Sequence, residues 1–206
     1  MKKIKVLVAD DHALMRIGLT TLFKTDPLLS VVGEAPDGKA AIEMTRMFGP
    51  DVVVLDLMMP CVSGLEAILS IKTEMPETKI VILTTFAISD AIAQAIDGGV
   101  EGALLKSAPN EELLDTIHRV AAGDRVISNE IKELLNQDPP LPPLSPRQRQ
   151  LLEAVAQGLS NKEIAVRLDL KPNSVKGYFD ILFDKLGATT RSEAVAIALR
   201  KHLLKI

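Results

Sequence analysis

Val52-Val53-Val54-Leu55-Asp56 is an unbroken apolar run that ends in one carboxylate. A valine-rich run suits a strand buried on both faces of a parallel sheet, and its shortness favours a strand over a buried helix segment. In open parallel sheets, ligands bind in the crevice outside the carboxyl ends of the strands, which puts Asp56 at a site mouth. An aspartate here would also serve as an ordinary cap or turn before a following helix, and the stretch alone leaves both readings open.

Similar runs flank it. Residues 4–9 read as a first strand ending in Asp10-Asp11, before a helical pattern through Leu14, Ile17, Leu22 and Phe23. A second strand near 31–33 precedes a helix over 37–48, with Asp37 as its N-cap. After a loop at 57–63, residues 64–75 have helical spacing and stop at Pro76. A fourth strand at 79–84, a helix at 89–97, a fifth strand at 102–106 and a helix at 109–122 follow. Five alternations of strand and helix imply an α/β fold, a doubly wound five-stranded parallel sheet covered on both faces.

The whole chain bounds what this sheet can belong to. Its 206 residues are comfortable for two domains. No apolar segment approaches the roughly 18 residues needed to span a bilayer, and Met1-Lys2-Lys3-Ile4 leads into a strand rather than a signal peptide. The expected location is therefore the cytoplasm, with no membrane partner. Cys61 is the single cysteine, so an internal disulfide is excluded. His12, His118 and His202 are scattered without the spacing of a zinc site. The net charge of −3 hides an asymmetry: residues 1–143 hold 13 Lys+Arg against 21 Asp+Glu, whereas residues 144–206 hold 11 against 6. The basic half suits a polyanion, or is simply a solvated surface.

Four of the five strand ends carry a polar residue of interest: Asp10 and Asp11 after the first, Asp56 after the third, Thr84 after the fourth and Lys106 after the fifth. If gathered in one crevice, three carboxylates would raise one another's pKa unless a cation intervened. Oxygen ligands at a partly open site favour magnesium, or manganese, and a lysine ammonium with a threonine hydroxyl can hold a phosphoryl group. Asp56 would then be a carboxylate nucleophile. Residues 3–122 resemble a response-regulator receiver domain, through Ala9-Asp10-Asp11-His12, Asp56-Leu57-Met58-Met59-Pro60, Gly64, Leu83-Thr84-Thr85 and Leu104-Leu105-Lys106. The resemblance implies strand order 2-1-3-4-5, which brings the five side chains together. It also implies that Asp56 is the phosphoacceptor. Asp10, Asp11, Asp56 and the Met58 backbone carbonyl would hold the metal, and Thr84 and Lys106 would sense the phosphoryl group. One departure is Ala103, where the family usually has an aromatic that swings inward on activation. Phe86 either shields the phosphoryl group from water or is an ordinary loop aromatic.

Residues 128–137 read as a connecting helix capped by Ser128, and Asp138-Pro139-Pro140-Leu141-Pro142-Pro143 as a semi-rigid extended linker. The expected division is a receiver at 1–123, a connecting helix and linker at 124–143, and a second domain at 144–206. There, Ser145-Pro146-Arg147-Gln148, Ser160-Asn161-Lys162-Glu163 and Thr190-Arg191-Ser192-Glu193 each fit a capping box. Four helices near 146–157, 160–167, 172–186 and 191–203 follow, with Gly158 and Gly187 closing two of them. The second and third have the spacing of a helix-turn-helix. In the third, Val175, Phe179, Leu182 and Leu186 form a core face, while Asn173, Lys176, Gly177, Asp180 and Asp184 point outward.

Residues 144–204 resemble a LuxR-type DNA-binding domain, through Leu144-Ser145-Pro146-Arg147-Gln148, Gly158-Leu159-Ser160-Asn161-Lys162-Glu163-Ile164-Ala165, Ser174-Val175-Lys176 and Lys185-Leu186-Gly187. A receiver joined to such a module is the NarL/FixJ class of regulator. That resemblance implies a sensor histidine kinase or small phosphodonor, promoter DNA, and homodimerisation promoted by phosphorylation. The candidate DNA-binding residues are Lys162, Arg167, Lys171, Asn173, Lys176, Gly177, Asp180, Lys185 and Arg191. Each cation would otherwise be part of a solvated basic face. Asp180 stands where relatives often carry a base, which implies either weak binding or an unusual target. Apolar residues 194–199 would pair two DNA-binding domains or pack within their own. Two other functions stay open: a receiver-based protein docking module, and a phosphatase using Asp56 as a covalent nucleophile.

Overall fold

The computed structural model describes residues 2–85, 89–201, 203 and 204; of Pro172 and Asn173 it describes the backbone only. The chain divides into two compact units, Met1–Pro139 and Pro140–Ile206.

The first unit runs β1 (Ile4–Ala9), α1 (Ala13–Thr25), β2 (Leu29–Ala35), α2 (Gly38–Phe48), β3 (Val52–Leu55), α3 (Gly64–Glu74), β4 (Lys79–Thr84), α4 (Ser89–Asp97), β5 (Gly102–Leu105), α5 (Asn110–Ala122), β6 (Val126–Ile127) and α6 (Asn129–Gln137). The sheet order is β2-β1-β3-β4-β5-β6, every pairing parallel. The valine run forms β3 at the centre of the sheet, and all four of its residues are buried. Strand alternation divides its side chains between two cores. Val53 and Leu55 join Leu7, Ile82, Ile68 and Ile92 on one face, while Val52 and Val54 join Val8, Val81, Phe23 and Ile117 on the other.

Two expectations need correcting here. The sheet has six strands, because Val126 and Ile127 pair with Gly102 and Ala103 of β5. The helix expected to connect the domains instead packs on this unit, against β5 and α4. Its Ile131 is fully buried in the core, and Leu134 and Leu135 pack beside it. An amphipathic helix placed next to an apolar sheet edge buries its stripe there rather than leaving it in water. Ser128 caps this helix as its sequence predicts, accepting a hydrogen bond from Ile131 N.

The second unit holds α7 (Pro146–Ala156), α8 (Asn161–Arg167), α9 (Pro172–Leu186) and α10 (Arg191–Arg200). Capping boxes start α7 and α8 with both reciprocal hydrogen bonds present. At α10 the Thr190 hydroxyl accepts from Glu193 N, but the Glu193 carboxylate reaches Thr189 rather than Thr190. Gly158 and Gly187 both adopt positive φ at helix ends. Val175, Phe179, Leu182 and Leu186 lie in the core of this unit. The last helix ends at Arg200, short of the expected 203; Ala194 and Ala198 are buried in its own domain, Val195 and Ile197 pack against that core, and Leu199 stays exposed. None of the described helices is long and apolar enough to cross a membrane.

Candidate functional site

The site of the first unit is assembled at the carboxyl ends of the strands. Asp56 follows β3 directly, and its backbone N–H donates to Ala9 O at 2.9 Å, fixing it beside the end of β1. Asp10 follows β1, held by its own N–H to Ala35 O at 3.1 Å. Both are buried, with 1% and 3% of their surface exposed for Asp10 and Asp56. The Lys106 ammonium lies between them, 2.6 Å from Asp10 Oδ2 and 2.7 Å from Asp56 Oδ2. Its backbone N–H donates to Thr84 O at 2.9 Å, tying the ends of β4 and β5 together. Thr84 itself is fully buried at the end of β4.

The remaining carboxylate oxygens are also held. Asp10 Oδ1 accepts from His12 N at 2.8 Å, and Asp56 Oδ1 accepts from Met58 N at 3.2 Å. Asp11 is more exposed, with Oδ1 2.8 Å from His12 Nδ1. Arg16 donates to the Asp10 carbonyl at 2.6 Å. Burial lifts the Asp56 carboxyl above the ordinary carboxylate range, against the opposing pull of Lys106 and the Met58 N–H; the Asp10 charge adds to the rise. Burial also draws the Lys106 ammonium down, but hydrogen bonds from it to Asp10 and Asp56 outweigh that and raise its pKa overall.

Ligand atoms of Asp10, Asp11, His12 and Asp56 all lie within 4.8 Å of one another. Three carboxylates facing one ammonium leave a negative excess, and hard oxygen donors on a partly open rim are the chemistry of magnesium or manganese. The residues present therefore fit a divalent cation. His12 and Arg16 were not singled out by their sequence. The signal lies in spacing: His12 is the N-cap of α1 and Arg16 one turn on, so both side chains fall at the mouth of the crevice. Phe86 lies outside the described residues.

Gly64 explains how α3 begins so close to this site. A Cβ there would stand 2.1 Å from Asp56 O and 2.6 Å from Leu57 Cα. The Ser63–Glu66 capping box fixes the start of the helix at this point.

In the second unit α8 and α9 are joined by residues 168–171, with Arg147 donating to the Leu168 carbonyl of that turn. Lys162, Lys171, Lys176, Gly177 and Asp180 are exposed. The side chain of Asn173 lies outside the described residues. Three of the candidate cations are engaged inside the domain. Arg167 donates to Gln157 Oε1. Lys185 donates to Pro143 O at 3.0 Å and Gln148 Oε1 at 3.2 Å. Arg191 donates to Leu159 O at 2.9 Å and to Asn161 Oδ1, with its guanidinium 4.5 Å from the Phe179 ring centre.

Comparison with known proteins agrees with both halves. Residues 6–118 match the response regulator receiver domain, and residues 142–198 match the LuxR family of bacterial regulatory proteins. The chain is 36% identical over 210 residues to the transcriptional regulatory protein YdfI of Bacillus subtilis, covering 98% of each. It is 37% identical over 204 residues to a nitrate/nitrite response regulator protein homolog of Haemophilus influenzae, covering 97% of this chain and 98% of that one. Among solved structures, the response regulator ChrA of a heme-sensing two-component system aligns over 99% of this chain and 100% of its own, at TM-score 0.60 and 32% identity. The chain belongs to the two-component response regulators of the NarL/FixJ class, transcription regulators that join a receiver domain to a LuxR-type helix-turn-helix domain.

Proposed function

We propose that Asp56 accepts a phosphoryl group from a sensor histidine kinase or a small phosphodonor, and that this modification promotes homodimerisation and promoter binding in the cytoplasm. The observation that carries the reading is the buried Asp56 carboxylate, 2.7 Å from the Lys106 ammonium, which also neutralises Asp10. A carboxylate oxygen of Asp56 forms the new O–P bond as the bond from phosphorus to the donor breaks, and the donor leaves with that electron pair. Lys106 then moves its hydrogen bond from the carboxylate to a phosphoryl oxygen, and the Thr84 hydroxyl takes another. Asp10, Asp11, Asp56 and the Met58 carbonyl would hold a magnesium or manganese ion, which neutralises phosphoryl oxygens when bound. The reaction runs once per chain, with slow loss of the phosphoryl group to water and no turnover of a substrate.

In the second unit, DNA contacts fall to Lys162, Lys171 and Lys176, together with Asn173, Gly177 and Asp180 on α9. Arg167, Lys185 and Arg191 support the fold of the reading head, since their donors are engaged within the domain. The exposed acids on α9 favour a second reading, a receiver-based docking module with little DNA affinity.

One experiment tests both. Native protein and Asp56→Asn are labelled by acetyl phosphate with and without Mg²⁺, and the same samples are taken into gel shifts against genomic fragments. Cation-dependent labelling should be lost in the variant. Binding should strengthen on phosphorylation and fall steeply with salt. Unchanged labelling of Asp56→Asn would displace that residue from the centre, and absence of any shift at low salt would leave the docking reading.

A further inference from the structure

We propose that Gly177 and Asp180 form one reading element on α9, in which the Asp180 carboxylate selects a cytosine in the major groove. The proposal rests on the DNA-binding reading above. Val175, Phe179, Leu182 and Leu186 are buried, which turns the opposite side of the helix to solvent. Gly177 and Asp180 are three residues apart on that side, both exposed, and so neighbours on one surface.

The glycine is the first clue. A mid-helix glycine costs stability, so the position needs a reason for it. The described residues supply none: among them a Cβ at Gly177 would meet nothing within 4 Å, and its backbone has no positive φ. A missing side chain on an open face lets the helix backbone come unusually close to whatever that face meets. For the second helix of a helix-turn-helix, that is the floor of the major groove.

The carboxylate is the second clue. Asp180 is exposed and makes no ion pair among the described residues. Near phosphates such a charge is repulsive, and only a base-edge donor offsets it. Guanine presents two acceptors, thymine a carbonyl and a methyl group, and adenine an amino group beside the N7 acceptor that repels a carboxylate. Cytosine presents an amino donor, the usual partner of aspartate or glutamate. Aspartate is short, and the close approach allowed by Gly177 is what brings it within reach.

The test is selection of binding sites from a random duplex library by the full phosphorylated chain, alongside Asp180→Ala, Asp180→Asn and Gly177→Ala. Native protein should enrich a cytosine at one position of each half-site, with discrimination of about 5- to 150-fold over other bases. Asp180→Ala should lose that preference while keeping the rest of the motif, and Asp180→Asn should move it towards adenine, whose N6 and N7 suit an amide. Gly177→Ala should melt at higher temperature yet bind about tenfold or more weakly, a split that a purely structural role would not produce. A native motif without the cytosine, or one unchanged in Asp180→Ala, overturns the proposal and leaves DNA binding standing. Failure of the native chain to select any sequence overturns both.

Discussion

Gly64→Ala is the substitution whose effect follows most directly from the geometry of the site. The new Cβ would lie 2.1 Å from Asp56 O, 2.6 Å from Leu57 Cα and 2.9 Å from Leu55 Cδ2. The first two are backbone atoms, so no side-chain rotation relieves them. Restoring ordinary contact distances requires a retreat of about 1 Å by the Asp56–Leu57 backbone or by the start of α3. Overpacking of this kind costs about 1–3 kcal/mol, partly offset by the better helix propensity of alanine, so a net loss of about 1–2 kcal/mol is expected in urea unfolding. The functional loss should be larger. The Lys106–Asp56 contact of 2.7 Å does not survive an ångström of displacement unaltered, and misplacement on that scale costs roughly 10²-fold in rate. The readout is the initial rate of Mg²⁺-dependent labelling by acetyl phosphate, with Gly18→Ala as the control. Gly18 lies in α1 with nothing within 4 Å of an added Cβ, so alanine there should stabilise slightly and label normally. Labelling of Gly64→Ala within twofold of native would refute the reasoning.

Three further outcomes follow from the same packing. Lys106→Met leaves Asp10 and Asp56 buried and facing each other, and should destabilise the first unit by about 3–5 kcal/mol near pH 7.5; urea midpoints should recover towards pH 5 and on adding Mg²⁺, and a loss independent of both would sink this account. For Asp56→Asn the sign comes from the raised carboxyl. Between its ordinary value of 3.8 and the higher folded value, the folded chain holds a proton that the unfolded chain has released, so native stability falls as pH rises through that window. The stability of Asp56→Asn relative to native should therefore climb across the same window and level off above it, whereas a flat difference would contradict the burial effect. Ile131→Ala removes a fully buried side chain of α6 and should cost about 2–5 kcal/mol, measured by hydrogen exchange in the β5 strand; an unchanged exchange rate would mean that α6 does not pack there.

β1, β3, β4 and β5 were legible because each is a short apolar run closed by a polar residue, and the helix starts because Ser145, Ser160 and Thr190 state their hydrogen-bonding chemistry locally; β2 runs from Leu29 to Ala35, beyond the expected 31–33, because its half-exposed edge position admits Ser30 and Glu34. The strand-end residues Asp10, Asp56 and Lys106 were legible as a set, and the sheet order brings them to hydrogen-bonding distance. What escaped depends on contacts remote in sequence. Val126-Ile127 is too short to carry a period-2 signal and becomes a strand only because β5 offers it a free edge. Ile131, Leu134 and Leu135 announce an amphipathic helix without saying which surface receives it. Lys185 and Arg191 read as free cations, since the carbonyls of Pro143 and Leu159 that hold them lie 42 and 32 residues away. His12 looked isolated among three scattered histidines, yet the turn after β1 places its ring against Asp11.

The absence of an aromatic at Ala103 and the docking of α6 have one packing cause. Ala103 is fully buried on the sheet face that also holds Ile92, Ala95 and Ile131. Its backbone pairs with Ile127, and its carbonyl accepts from Ser128 N at 3.0 Å, immediately before α6 begins. A large ring at this position would need volume that the core already fills, and interiors packed to crystal-like density have none to lend. The small side chain thus lets the chain fold back over β5 and seal it. The same closure reaches α4, because Ser89 Oγ at its first turn donates to Asp138 Oδ2 at 2.7 Å, just beyond the end of α6. A displacement of α4 must therefore either carry Asp138 along or break that hydrogen bond, which ties α4 to the end of α6.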